Sequence, residues 1–231
     1  MLDVTRSQAL RSLAALLDAP QERLRFLVAY GSRSDGADVD LFAVYNSAPR
    51  HAHLALGRLD IIAVDNRELS ALLQHHDLRA SEPLLTGELV AGDAGQWSQR
   101  RDAFLASPPK SESVVYLLQK SFEVTPYAQE YFRRFTASGS PLDFAASWQD
   151  LAFAAGYLVF AREYAAGRYP LTCEQAAQHV PLLAEFRAAA KAARRHTAPL
   201  SGDALLQAFD RLHHEMVITM LPLGAVVERK L

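Results

Sequence analysis

Apolar positions along the chain follow two periods, and the change of period falls near residue 107. Before it, short runs rich in Val, Ile, Leu and Phe at 24–30, 39–45 and 58–64 read as strands, with a further short strand near 88–91. Leu10, Leu13, Leu16 and Leu17 fall at helical spacing, so a helix is expected over 7–17 with Thr5 or Ser7 as its N-cap. Asp65-Asn66 opens another helix through Leu69, Leu72 and Leu73. Beyond Ser107-Pro108-Pro109-Lys110, where two prolines stop any helix, strand character disappears. Helical periodicity then runs over about 112–124, 126–137, 142–166, 173–196 (with a break at Pro181) and 202–220. Leu151, Ala154, Ala155, Leu158 and Val159 share one helical face, and Gly139, Gly167 and Gly202 stand at segment ends. The expected fold class is α+β. A small mixed sheet flanked by helices over 1–107 is followed by an all-α helical bundle over 108–231.

Composition narrows the functional classes. Half of the 231 residues are hydrophobic and 22% are charged, which suits folded domains rather than a disordered chain. Up to residue 107 there are 11 Lys and Arg against 14 Asp and Glu, and beyond it 13 against 12. Neither part has the cationic excess that a grip on long nucleic acid demands. One cysteine, Cys173, rules out an internal disulfide and suits a reducing cytosol. The start Met-Leu-Asp-Val-Thr-Arg-Ser lacks the pattern of a signal peptide, and the longest uncharged apolar run, about 151–161, falls short of a membrane span. The expectation is a cytoplasmic protein with no membrane partner.

The most informative stretch is 26–44, where an apolar run ends in Gly31-Ser32 and Asp38-Val39-Asp40 opens the next run. Successive side chains alternate faces in a strand, so Asp38 and Asp40 would share a face roughly 7 Å apart. Two such carboxylates repel unless a cation joins them, and Mg²⁺ suits hard oxygen ligands supplemented by substrate phosphates. The Gly31-Ser32 turn offers backbone N–H groups and a hydroxyl to those phosphates. Asp60 lies inside a later apolar run, Leu59-Asp60-Ile61-Ile62. A carboxylate in such a run is costly to bury alone. Each feature by itself reads as an ordinary turn or strand end; their joint order suggests a metal–nucleotide site.

These residues resemble the nucleotidyltransferase superfamily of polymerase beta-like fold, and in particular the minimal and the aminoglycoside (kanamycin-type) nucleotidyltransferases, which carry a C-terminal helical domain. Gly31, Ser32, Asp38 and Asp40 match the family's Gly-Ser and Asp-x-Asp, Asp60 its third carboxylate, and 84–93 the stretch that closes its sheet. The resemblance covers about the first 95 residues. A weaker one links Gly167-Arg168-Tyr169-Pro170-Leu171-Thr172 to the family's helical domain.

The resemblance implies an Mg²⁺-dependent enzyme that moves a nucleoside monophosphate from a nucleoside triphosphate, expected to be ATP, to a hydroxyl of a small acceptor bound between the two domains. Asp38, Asp40 and Asp60 would be the catalytic and metal-binding residues, holding two ions. Gly31, Ser32 and Arg33 would bind the triphosphate. A catalytic base from the helical domain has candidates in Glu112, Glu123 and Glu163, each also readable as a surface helix residue. A protein or tRNA acceptor stays open as an alternative, and a homodimer is compatible. The spacer Arg33 to Ala37 is shorter than is usual in the family, which keeps a non-catalytic nucleotide-binding protein open too.

Other candidate chemistry is weaker. Neighbouring histidines on a helix diverge by about 100°, so His75-His76 and His213-His214 are poor chelates. His51 and His53 fall in a stretch that reads as loop, and Cys173 has no nucleophile pattern around it. Arg187, Lys191, Arg194 and Arg195 form a basic helical stripe, which reads first as a solvated face and second as a phosphate or RNA contact.

Overall fold

A computed structural model describes residues 23–31, 39–49, 52–56 and 59–228. The helix expected over 7–17, together with Ser32, Arg33, Asp38 and His51, lies outside the described residues. The chain divides into two compact units, Met1–Pro108 and Pro109–Leu231, and its class is α+β.

The first unit is built on five strands: β1 (Leu24–Tyr30), β2 (Val39–Tyr45), β3 (His53–Leu56), β4 (Leu59–Asp65) and β5 (Glu88–Gly92). Their order across the sheet is β3-β4-β2-β1-β5. β2 and β4 are parallel, and every other pairing is antiparallel. The near-continuous apolar runs of β1, β2 and β4 follow from burial on both faces. Leu27, Ala29, Leu41, Ala43, Tyr45, Ile61 and Ala63 form the core on one face. Phe26, Val28, Phe42 and Val44 alternate with them and are fully buried on the other, where Phe26 packs on Trp97 with ring centroids 5.4 Å apart.

Among the described residues three helices join the sheet in this unit: α1 (Asn66–Gln74), α2 (Leu78–Thr86) and α3 (Ala94–Leu105). Each starts at an aspartate whose side chain accepts a backbone N–H of the first turn: Asp65 from Glu68 at 2.7 Å, Asp77 from Arg79 at 2.9 Å and Asp93 from Gln96 at 2.9 Å. A carboxylate there satisfies an orphan donor and complements the helix dipole. Pro83 lies inside α2. The helix survives because a nine-residue segment has few i→i−4 bonds to lose, and only the Arg79 carbonyl forfeits its donor.

The second unit consists, among the described residues, of α4 (Ser111–Ser138), α5 (Pro141–Ala165), α6 (Cys173–His179), α7 (Pro181–Arg194) and α8 (Gly202–Glu228). The sequence suggests two segments at 112–124 and 126–137; they form one helix running through Pro126. Gly139 ends it in the left-handed conformation, φ 68°, and Ser140 caps α5. Two buried hydroxyls tie these long helices together, Ser121 donating to the Ala154 carbonyl at 2.8 Å and Ser147 to that of Ala128 at 2.9 Å. Alanine at the contact lets the backbones come that close. α5 is buried all round from Leu151 to Ala161 except at Phe153, so it is the central helix of the unit rather than one with a single apolar face. Trp148 meets Phe186 of α7 edge-on at 5.9 Å, and Leu205, Ala208, Leu212 and Met216 form the buried stripe of α8. The break at Pro181 separates α6 from α7, as the sequence suggests.

Candidate functional site

Parallel pairing of β2 with β4 fixes the geometry of the sheet's carboxylates. The register places Asp40 directly beside Asp60, on strands about 4.8 Å apart. Alternation puts both on the face that carries Phe42, Val44 and Val64, at the end of the sheet where β2 and β4 begin. Asp is depleted in strand interiors, and like charges side by side on one face destabilise a sheet. Asp65, Asp77 and Asp93 have capping roles at helix starts, whereas Asp40 and Asp60 lie within strands.

Tyr30 of β1 pairs with Asp40 from the other side, and Gly31 follows it. Gly31 has φ 80°, and a Cβ at this residue would fall against the Asp40 carboxylate, with Cγ only 3.3 Å away. Glycine is required here twice over, by its backbone conformation and by the close approach of that carboxylate. Sequence reasoning assigns Gly31 to phosphate binding through its backbone; the clearance it leaves for Asp40 is visible only in three dimensions.

On the far side of β4 stands His53. The stretch read as loop in the sequence is in fact the start of β3, whose first residue pairs with Ile62. Its side chain lies on the Asp60 face, and its Nε2 hydrogen-bonds the Asp60 Oδ1. A carboxylate only accepts, so the ring nitrogen is the donor. The Asp60 side chain is 18% exposed and that of His53 57%. The row His53–Asp60–Asp40 thus spans three adjacent strands, with Gly31 at its end. Among the described residues no three His, Cys, Asp or Glu side chains already stand as a metal-binding group. The donor set nonetheless fits Mg²⁺, which is usually held by one or two carboxylates and completed by water and substrate phosphates.

The remaining candidates are placed elsewhere. Glu163, read as a surface residue and a candidate base, is buried at 1% exposure in α5. Arg168 donates to its two oxygens through Nε and Nη2, the latter at 2.7 Å. Those hydrogen bonds hold the Glu163 carboxyl below its ordinary range against the opposing effect of burial. A carboxylate so occupied is a structural partner and a poor proton acceptor. Glu112 and Glu123 are exposed on α4. His76 is buried, bonds the Ser107 carbonyl through Nε2 at 2.6 Å and packs on Phe104, and burial lowers its pKa. Its neighbour His75 lies half-buried, and the two serve the fold of the first unit. Cys173 is buried at the start of α6. Arg187, Arg194 and Arg195 are exposed and Lys191 half-buried along α7 and its end.

No family model and no curated protein matches the chain. Among solved structures it is similar to a nucleotidyltransferase-like protein from Exiguobacterium sibiricum, with 17% identity over 96% of this chain and 78% of that one and a TM-score of 0.40. At that score the likeness supplies no residue correspondence. No described helix is long and apolar enough to cross a membrane.

Proposed function

We propose that the chain is a divalent-metal-dependent nucleotidyltransferase that moves a nucleoside monophosphate from a nucleoside triphosphate, with ATP the expected donor, to a hydroxyl of a small-molecule acceptor. One observation carries this reading: Asp40 and Asp60 stand side by side on parallel strands, next to a glycine whose missing Cβ leaves room for the Asp40 carboxylate. That arrangement costs stability in the absence of a cation and is the one a metal–triphosphate complex relieves.

Asp40 and Asp60, joined by Asp38 from its place two residues before Asp40, would hold Mg²⁺. When bound, the metal would supply charge neutralisation at the attacking and leaving oxygens. Gly31, Ser32 and Arg33 would receive the triphosphate, the first two by backbone N–H and hydroxyl, the third by its guanidinium. The acceptor hydroxyl oxygen forms a bond to the α-phosphorus as the bond to pyrophosphate breaks, and its proton leaves toward the Asp60 carboxylate. Most of the acceleration comes from positioning and fixed charge, as in phosphoryl transfers generally. The near-balanced charge of each part of the chain favours a small acceptor over tRNA, which would require several phosphates to be neutralised.

The test is to incubate the protein with each nucleoside triphosphate labelled at the α-phosphate, Mg²⁺ and a metabolite pool. The expected result is label on a small acceptor with release of pyrophosphate. Absence of transfer with every triphosphate, together with no binding of any Mg²⁺–triphosphate, overturns the reading.

A further inference from the structure

We propose that His53 is a positioning residue for Asp60, holding that carboxylate in place to meet a metal together with Asp40; this rests on the function proposed above. The sheet order β3-β4-β2 sets His53 and Asp40 on opposite sides of Asp60. Left alone, two carboxylates in register turn away from each other, because repulsion falls with distance. The His53 Nε2–H bond to Asp60 Oδ1 fixes one oxygen toward β3 and removes the freedom of the group to rotate. A ligand carboxylate that is itself hydrogen-bonded presents a prepared oxygen to the ion.

Two further observations favour positioning over stabilisation. His53 is more than half exposed, and an ion pair or hydrogen bond that reaches solvent contributes little to folding. Its strand has four residues and is the outermost of the sheet.

The experiment measures Mn²⁺ affinity by electron paramagnetic resonance in the presence of a non-hydrolysable α,β-methylene ATP analogue, alongside steady-state kinetics and melting temperature. His53→Ala should weaken Mn²⁺ binding by about tenfold and lower kcat while KM for the triphosphate and the melting temperature stay near wild type. His53→Gln, which retains an N–H donor of similar reach, should recover most of the loss. Wild-type Mn²⁺ affinity in His53→Ala, or a glutamine variant as impaired as the alanine one, overturns the positioning role and leaves the proposed function standing. No binding by the wild type of Mn²⁺ with this analogue or with any nucleoside triphosphate, and no transfer from any of them, overturns both.

Discussion

Asp60 in the sheet unit and Glu163 in the helical unit are both carboxylates set among apolar neighbours, and they are held in opposite ways. Glu163 is buried, and the forked guanidinium of Arg168 neutralises it within the same unit. Asp60 is partly open to solvent, bonded to a histidine on one side and flanked by a second carboxylate on the other. The first arrangement is electrically complete and serves the fold. The second sets two carboxylates side by side at one end of a sheet, an arrangement unfavourable for like charges. On the function proposed above, the contrast sets a structural acid, Glu163, against a candidate functional one, Asp60.

The largest expected effect comes from removing the charge pair of the sheet unit. Asp40→Asn with Asp60→Asn should abolish Mn²⁺–analogue binding and reduce nucleotidyl transfer by on the order of 10³-fold or more. The melting temperature should stay level or rise, because the mutual repulsion is gone. A double variant that melts well below wild type would show the two aspartates to be structural, and the contrast with Glu163 would collapse.

Gly31→Ala tests the same pair by crowding it. The new Cβ would press on the Asp40 carboxylate at a backbone φ of 80°, a conformation costing about 1 kcal/mol for alanine. The expected outcome is a loss of roughly 10- to 100-fold in transfer and of about 1–2 kcal/mol in stability, read by kinetics and denaturant unfolding. Unchanged transfer would mean that the Asp40 carboxylate can move aside without consequence.

Much of the sheet unit is legible in the sequence, since β1, β2 and β4 are continuous apolar runs and Asp65 announces α1. The strand β3 is not. Its four residues carry too short an alternation to stand out, although two residues, Gly57-Arg58, separate it from β4, a spacing typical of hairpins. With β3 hidden, His53 reads as a loop residue and its bond to Asp60 cannot be foreseen. α2 is obscured by Pro83, and α3 by glycine and polar residues around a single Trp97. The Asp40–Asp60 pairing is implied by the order of the motif, yet its closeness depends on β2 and β4 being parallel and in register. In the helical unit the break at Pro181 is correct and the one before Pro126 is not. Val180 adopts an extended conformation ahead of Pro181, whereas Thr125 donates to the Ser121 carbonyl and burial against α5 carries α4 through. Glu163 is misread because a charged residue at a helical position is ordinarily solvated. Its burial follows from α5 being central, which a pattern with one assigned apolar face does not reveal.

The smallest effect on activity, and the clearest on stability, belongs to the helical unit. Arg168→Ala leaves a carboxylate of 1% exposure without its guanidinium. Removing one partner of a buried pair is destabilising, and because Arg168 is 48% exposed and water reaches the pair the loss is softened. The melting temperature should fall in calorimetry, with nucleotidyl transfer at 25 °C unchanged. Acid supplies the second half of the test. The hydrogen bonds from Arg168 depress the folded pKa of Glu163 below 4.5, so on acidification the unfolded chain takes up the proton first. The stabilisation is therefore complete above pH 4.5 and is lost as pH falls through the folded pKa. Glu163→Gln cannot titrate and keeps a nearly isosteric side chain. It should be less stable than wild type at neutral pH, and the gap should close as pH drops below 4.5. A gap that stays constant across that range would show that the pair's electrostatics contribute nothing to the fold, and the distinction drawn between the two carboxylates would lose its structural half.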